Sequence, residues 1–93
     1  MEQHATVRLL VSGRVQGVGF RWFVARQAKA FGISGWVRNL PDGRVEIAAC
    51  GPKSKLMQFE SAVADGPPLA KVSHVEKRDV MPEMEPYKSF QIK

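Results

Sequence analysis

The 93-residue sequence predicts an α+β sandwich, with a mostly antiparallel sheet and two helices on one face. Three observations predict it. Period-two alternation marks strands around Val7, Leu9 and Val11 and around Val45, Ile47 and Ala49. Helical spacing links Phe20, Phe23, Val24, Ala28 and Phe31, and again Leu56, Phe59, Ala62 and Val63. Gly- and Pro-bearing segments separate these runs, so each is an element of its own. A chain of this size is expected to form one domain over residues 1–93.

The elements follow in order. Thr6 to Ser12 is the first strand, and a glycine-rich loop leads from it into a helix that Gly32 stops. Ser34 to Asn39 and Arg44 to Cys50 are the second and third strands. Leu40-Pro41-Asp42-Gly43 joins them as a turn, in which Pro presets φ and Gly supplies a positive one. Pro52 suits the first turn of the second helix, which Asp65-Gly66-Pro67-Pro68 ends. Val72 to Val80 is a weaker strand, because Val72 and Val75 break strict alternation as a bulge would. Tyr87 to Ile92 adds a short last strand with Phe90 and Ile92 inward. The order βαββαβ, with a terminal β addition, is that of the ferredoxin-like sandwich. Such a fold hosts many chemistries, so function must come from a site.

Composition narrows the field. An apolar fraction of 44% and a charged fraction of 25% exclude disordered and collagen-like classes. The lone Cys50 allows neither an intrachain disulfide nor a Cys-cluster metal site, and points to a reducing compartment. Near the N-terminus Arg8 interrupts an apolar run too short for a leader core or a membrane span. A cytoplasmic protein is expected. The net charge of +5 favours anionic partners, whether nucleic acid, acidic lipid or phosphorylated metabolite, without choosing among them.

The segment Gly13-Arg14-Val15-Gln16-Gly17-Val18-Gly19-Phe20-Arg21 lies between a strand and a helix. Its glycines let the backbone turn tightly and aim several N–H groups at one point, an anion nest at a helix N-terminus. Arg21 adds a planar fork suited to two phosphate oxygens. The spacing G-x-x-x-G-x-G is not the dinucleotide fingerprint, and the GK[ST] ending of a P-loop is absent. By itself such a segment is also readable as a plain turn.

GRVQGVGFR closely resembles the first signature of the acylphosphatase family, and GWVRNLPDGRVEIAACG, Gly35 to Gly51, resembles its second. The second match includes Gly35, Trp36, Val37, Asn39, Gly43, Val45 and Gly51 at the family's spacing, and the likeness is weakest after Pro68. The resemblance implies a hydrolase, free of metal and cofactor, that splits acyl phosphates into carboxylate and phosphate. By carry-over, the backbone N–H groups of Gln16, Gly17, Val18, Gly19, Phe20 and Arg21, with the Arg21 side chain, hold the phosphoryl group. Asn39 corresponds to the family's water-orienting asparagine, placed beside the loop. The implied partners are a small-molecule acyl phosphate and, as product-like ligands, inorganic phosphate or sulfate. Neither nucleic acid nor membrane is expected, and the chain is expected to act as a monomer.

Other residues take plainer readings. His4 and His74 lack ligand partners at metal spacing. Cys50 reads as a small core residue, Asp42 as a turn residue and Glu46 as a solvent-face residue. Trp22 is expected to be partly exposed and Trp36 to wall the sheet, while Arg8, Arg14, Arg38 and Arg44 raise the local potential without touching substrate. Two rivals remain. One is an RNA-binding module of the same element order, since Gly17 to Val24 mimics its aromatic octapeptide, although here it opens a helix rather than lying on the third strand. The other is a non-catalytic domain that binds a phosphate ligand.

Overall fold

The computed structural model describes residues 3–80 and 87–93; residues 1–2 and 81–86, within the expected 1–93 domain, lie outside the described residues. In chain order the elements are β1 (His4–Arg14), α1 (Phe20–Phe31), β2 (Ser34–Asn39), β3 (Val45–Pro52), α2 (Lys53–Asp65), β4 (Lys71–Val80) and β5 (Phe90–Ile92). The sheet order is β4-β1-β3-β2-β5. β1 pairs antiparallel with both β3 and β4, and β2 antiparallel with β3, whereas β5 joins β2 in parallel. This is the expected ferredoxin-like arrangement with its extra C-terminal strand.

Alternation sets which face is buried. Val7, Leu9 and Val11 of β1 register against Ala49, Ile47 and Val45 of β3, and all six are buried. α1 covers them with Phe20, Val24 and Ala28, and α2 with Leu56, Phe59 and Val63. These residues form one hydrophobic cluster, so both helices lie on the same face of the sheet. Each large side chain sealed there contributes about 1.5–3 kcal/mol relative to exposure. Phe90 of β5 meets Phe59 edge-on at 6.1 Å, which ties the last strand to α2.

Several boundaries shift for identifiable reasons. Pro52 closes β3 in an extended conformation (φ −59°, ψ 139°) and caps α2, so it sits just outside the first helical turn. β5 begins only at Phe90, where pairing with Gly35 starts. The irregular alternation of β4 is a bulge. Ser12 faces His74 and Gly13 faces Val72, leaving Ser73 unpaired. The extra residue turns both Val72 and Val75 toward the core. Gly13 adopts φ 122° there, and a Cβ on it would collide with the Lys71 carbonyl oxygen.

The helix-free face corrects two expectations. Glu46 is only 8% exposed, because Arg38 Nε (2.7 Å) and Arg8 Nη1 (3.2 Å) both donate to its carboxylate. Cys50 is half-buried between Thr6 and Ser34 on this same face, out of phase with the core residues Val45, Ile47 and Ala49. Trp36 is buried there under the cations of Arg8, Arg38 and Lys93, at 5.1, 5.0 and 4.8 Å from its ring.

Candidate functional site

The site begins where β1 leaves the sheet. Val15 is buried and anchors the loop from below, while Gly17 and Gly19 are exposed above it. Gly17 (φ 73°) and Gly19 (φ 75°) are left-handed, and no other residue type among those described has a positive φ. The sign of φ therefore alternates along Gly17, Val18 and Gly19, the backbone pattern that turns successive N–H groups toward one concavity.

α1 continues this arrangement. Gly19 is its N-cap and offers no side-chain hydrogen bond, and its first turn contains no acidic residue. The helical ladder opens with Phe23 N–H donating to Gly19 O at 3.0 Å. The N–H groups ahead of that rung lie before the ladder, at the positive end of the helix dipole.

A polar cleft of about 160 Å³ occupies this position, lined by Gly17, Gly19, Phe20, Arg21, Trp22 and Asn39 among others. Two residues far apart in sequence thus share one hollow. Arg21 stands in the first turn of α1, and its Nη1 donates to the Lys93 carbonyl oxygen at 3.0 Å. Lys93 is held in turn by its own N–H, which donates to Val37 O at 2.8 Å. One N–H of the guanidinium is therefore fixed by the backbone, and the fork keeps further donors for a ligand. Asn39, the last residue of β2, is paired across to Val45 and exposed, and no partner among the described residues engages its side-chain amide.

Of the six loop positions expected to face phosphate, Gly17, Gly19, Phe20 and Arg21 line the cleft, while Gln16 and Val18 do not. The Gln16 side chain turns the other way, its Nε2 donating to Leu40 O (2.8 Å) and Arg44 O (2.9 Å) of the β2–β3 hairpin. It braces the loop against the strand end that carries Asn39. Sequence reasoning missed this brace, the Lys93 carbonyl and the place of Trp22 on the cleft wall. Only Trp22 left a signal, as an aromatic off the apolar stripe of its helix. In the hairpin Asp42 accepts from the Arg44 N–H (3.0 Å) and Arg44 Nε (2.8 Å). The backbone bond from Arg44, before its guanidinium, lowers the Asp42 pKa, and the role is that of a turn residue. His4 and His74 are exposed, and no cluster of His, Cys, Asp and Glu among the described residues could hold a metal ion.

Fold and cleft together define an α+β sandwich protein with an open glycine loop at the start of its first helix. The acylphosphatase family model matches residues 7–92. An acylphosphatase of Koribacter versatilis is 50% identical over 91 residues, covering 98% of this chain and 82% of that one. One of Archaeoglobus fulgidus is 52% identical over 86 residues, covering 92% and 94%. The crystal structure of the Bacillus subtilis acylphosphatase superposes with a TM-score of 0.91 at 42% identity, covering 98% and 99%. The chain belongs to the acylphosphatase family, hydrolases of acyl phosphates.

Proposed function

We propose that the loop from Gln16 to Arg21 holds the phosphoryl group of an acyl phosphate while Asn39 orients the attacking water. One observation carries this reading: Arg21, two left-handed glycines and Asn39 line one cleft in which the helix-start amides and the Asn39 side chain have no partner among the described residues. Each N–H bonded to a charged phosphoryl oxygen contributes about 1.5–3 kcal/mol before the anion's desolvation is subtracted.

An acyl phosphate is a mixed anhydride whose leaving group is a carboxylate. That group departs at neutral pH without a proton, so no general acid is required. Water held by the Asn39 carbonyl attacks phosphorus in line, and the bond from phosphorus to the bridging oxygen breaks. The proton lost by the water passes to a phosphoryl oxygen of the substrate itself. The Arg21 guanidinium and the loop amides balance the charge as it redistributes over the equatorial oxygens. The products are a carboxylate and inorganic phosphate, and phosphate or sulfate occupies the same cleft as an inhibitor. The reaction needs neither metal nor cofactor, and the enzyme works as a cytoplasmic monomer. Its unpaired Cys50 supports that compartment.

The decisive assay follows benzoyl phosphate by its ultraviolet absorbance in the presence of EDTA, with inorganic phosphate as inhibitor. Turnover undiminished by the chelator, and inhibition that disappears in Arg21→Ala, is the expected result. Chelator-sensitive turnover, or phosphate inhibition that survives that substitution, refutes the scheme. The RNA-binding alternative requires aromatic rings presented on the sheet. Phe20 is buried, Phe23 packs against the core, and Trp22, the exposed ring of the octapeptide mimic, stands on α1 and not on the sheet.

A further inference from the structure

A groove of about 490 Å³ runs along α1 beside the phosphate cleft. Ala25, Arg26 and Lys29 of α1 form one wall, and Ser89 and Phe90 at the start of β5 form the other. Trp22 borders both the groove and the cleft, so the two hollows adjoin at a single side chain. Trp22 is 69% exposed, on the helix face opposite the buried stripe of Phe20, Val24 and Ala28. Core packing does not account for a large aromatic there, and a ligand stacked on it would recover the apolar area it leaves in water.

The chemistry of the substrate says what that ligand is. One bridging oxygen joins phosphorus to the acyl carbon, so a phosphoryl group seated against Gly19 and Arg21 delivers its acyl group to the rim of the cleft. We propose that the acyl group stacks on Trp22 and extends into the groove between α1 and β5, which makes the enzyme selective for acyl phosphates with an apolar body. This inference rests on the phosphate-binding reading above. Ala25 and Phe90 provide apolar contact, while Arg26 and Lys29 place positive charge along the groove and disfavour cationic, aminoacyl-type groups. Each methylene that leaves water multiplies affinity by about fourfold when fully buried. An open groove realises part of that.

The test compares acetyl, hexanoyl and benzoyl phosphates, each rate divided by the uncatalysed one. Wild type should prefer hexanoyl and benzoyl phosphate over acetyl phosphate by about tenfold or more in kcat/KM. Trp22→Ala should cost the two larger substrates about tenfold more than it costs acetyl phosphate, and Trp22→Phe should restore most of the difference. Ala25→Phe, which fills the groove away from the cleft, should slow hexanoyl phosphate severalfold more than acetyl phosphate. Equal losses on all three substrates, or no chain-length preference in the wild type, overturns the acyl groove while leaving phosphate binding intact. Absence of turnover on every substrate by the folded wild type overturns the proposed function, and the groove assignment with it.

Discussion

Two glycine-bearing turns lie side by side in this molecule, and they spend their backbone polar groups differently. In the β2–β3 hairpin, Leu40 N–H donates to Arg44 O, Gly43 N–H donates to Leu40 O, and the Asp42 carboxylate takes the Arg44 N–H. That turn closes on itself. The loop of Gly17 and Gly19 makes no such internal bonds among the described residues and feeds an uncapped helix. Its N–H groups stay available to an anion. The same residue type thus builds a closed structural turn in one place and, in the proposed reading, a ligand site in the other, and what separates them is unspent donor capacity. Gln16 links the two, since its amide reaches from the open turn to two carbonyls of the closed one.

Breaking the open turn should matter most for activity. Removing Arg21 as Arg21→Ala is expected to cost about 10³-fold in kcat/KM, the scale of losing a preorganised charged donor. Arg21→Lys should recover only part, because an ammonium keeps the charge without the fork. Steady-state kinetics on benzoyl phosphate checks both. Asn39→Ala should lower kcat by about 10²-fold with little change in phosphate inhibition, since its proposed part is to position water and not the anion. Equal losses in kcat and phosphate affinity would assign Asn39 a structural role instead.

Smaller effects sharpen the comparison. At Gly19 a Cβ would meet nothing within 4 Å, so Gly19→Ala isolates the conformational cost of φ 75°. Urea unfolding should show a loss of about 1–2 kcal/mol, accompanied by weaker phosphate inhibition. Gln16→Ala should cost about 1 kcal/mol, because Leu40 O and Arg44 O each retain a backbone donor. Its mark should be a larger fall in kcat than in stability, as the loop loses its register with Asn39. Asp42→Ala should have the smallest effect. The Asp42 pKa is held below the ordinary carboxylate range in the folded protein, so its stabilisation is present at neutral pH. It is lost as pH falls through that lowered value. The melting temperatures of wild type and Asp42→Ala should therefore differ at pH 7 and converge in acid.

Much of this was legible in the sequence wherever the deciding interaction is local. Val7, Leu9 and Val11 announce their strand by period two, and the four apolar residues of α2 announce their helix by spacing. The bulge in β4 showed itself as two valines three positions apart, both turned to the core. What escaped depends on register between distant strands. Glu46 reads as a solvated residue until β3 is laid between β1 and β2, when Arg8 and Arg38 arrive on either side of it. Cys50 is assigned to the core on residue type and leaves it on parity. In the site the glycines and Arg21 were visible as a motif, and Asn39 only through the family resemblance. Nothing in Gln16 itself named Leu40 and Arg44 as its acceptors.

The bond from Arg21 to the Lys93 carbonyl spans 72 positions of chain. During vectorial synthesis the loop and α1 emerge early, yet the guanidinium has no acceptor until β5 has been made and has docked on β2. A nascent polypeptide stalled upstream of Phe90 would hold every glycine of the loop and still leave its arginine unsteered. In the proposed reading, competence to bind phosphate then waits on β5, although the glycine loop that the bond steadies is made well before that strand.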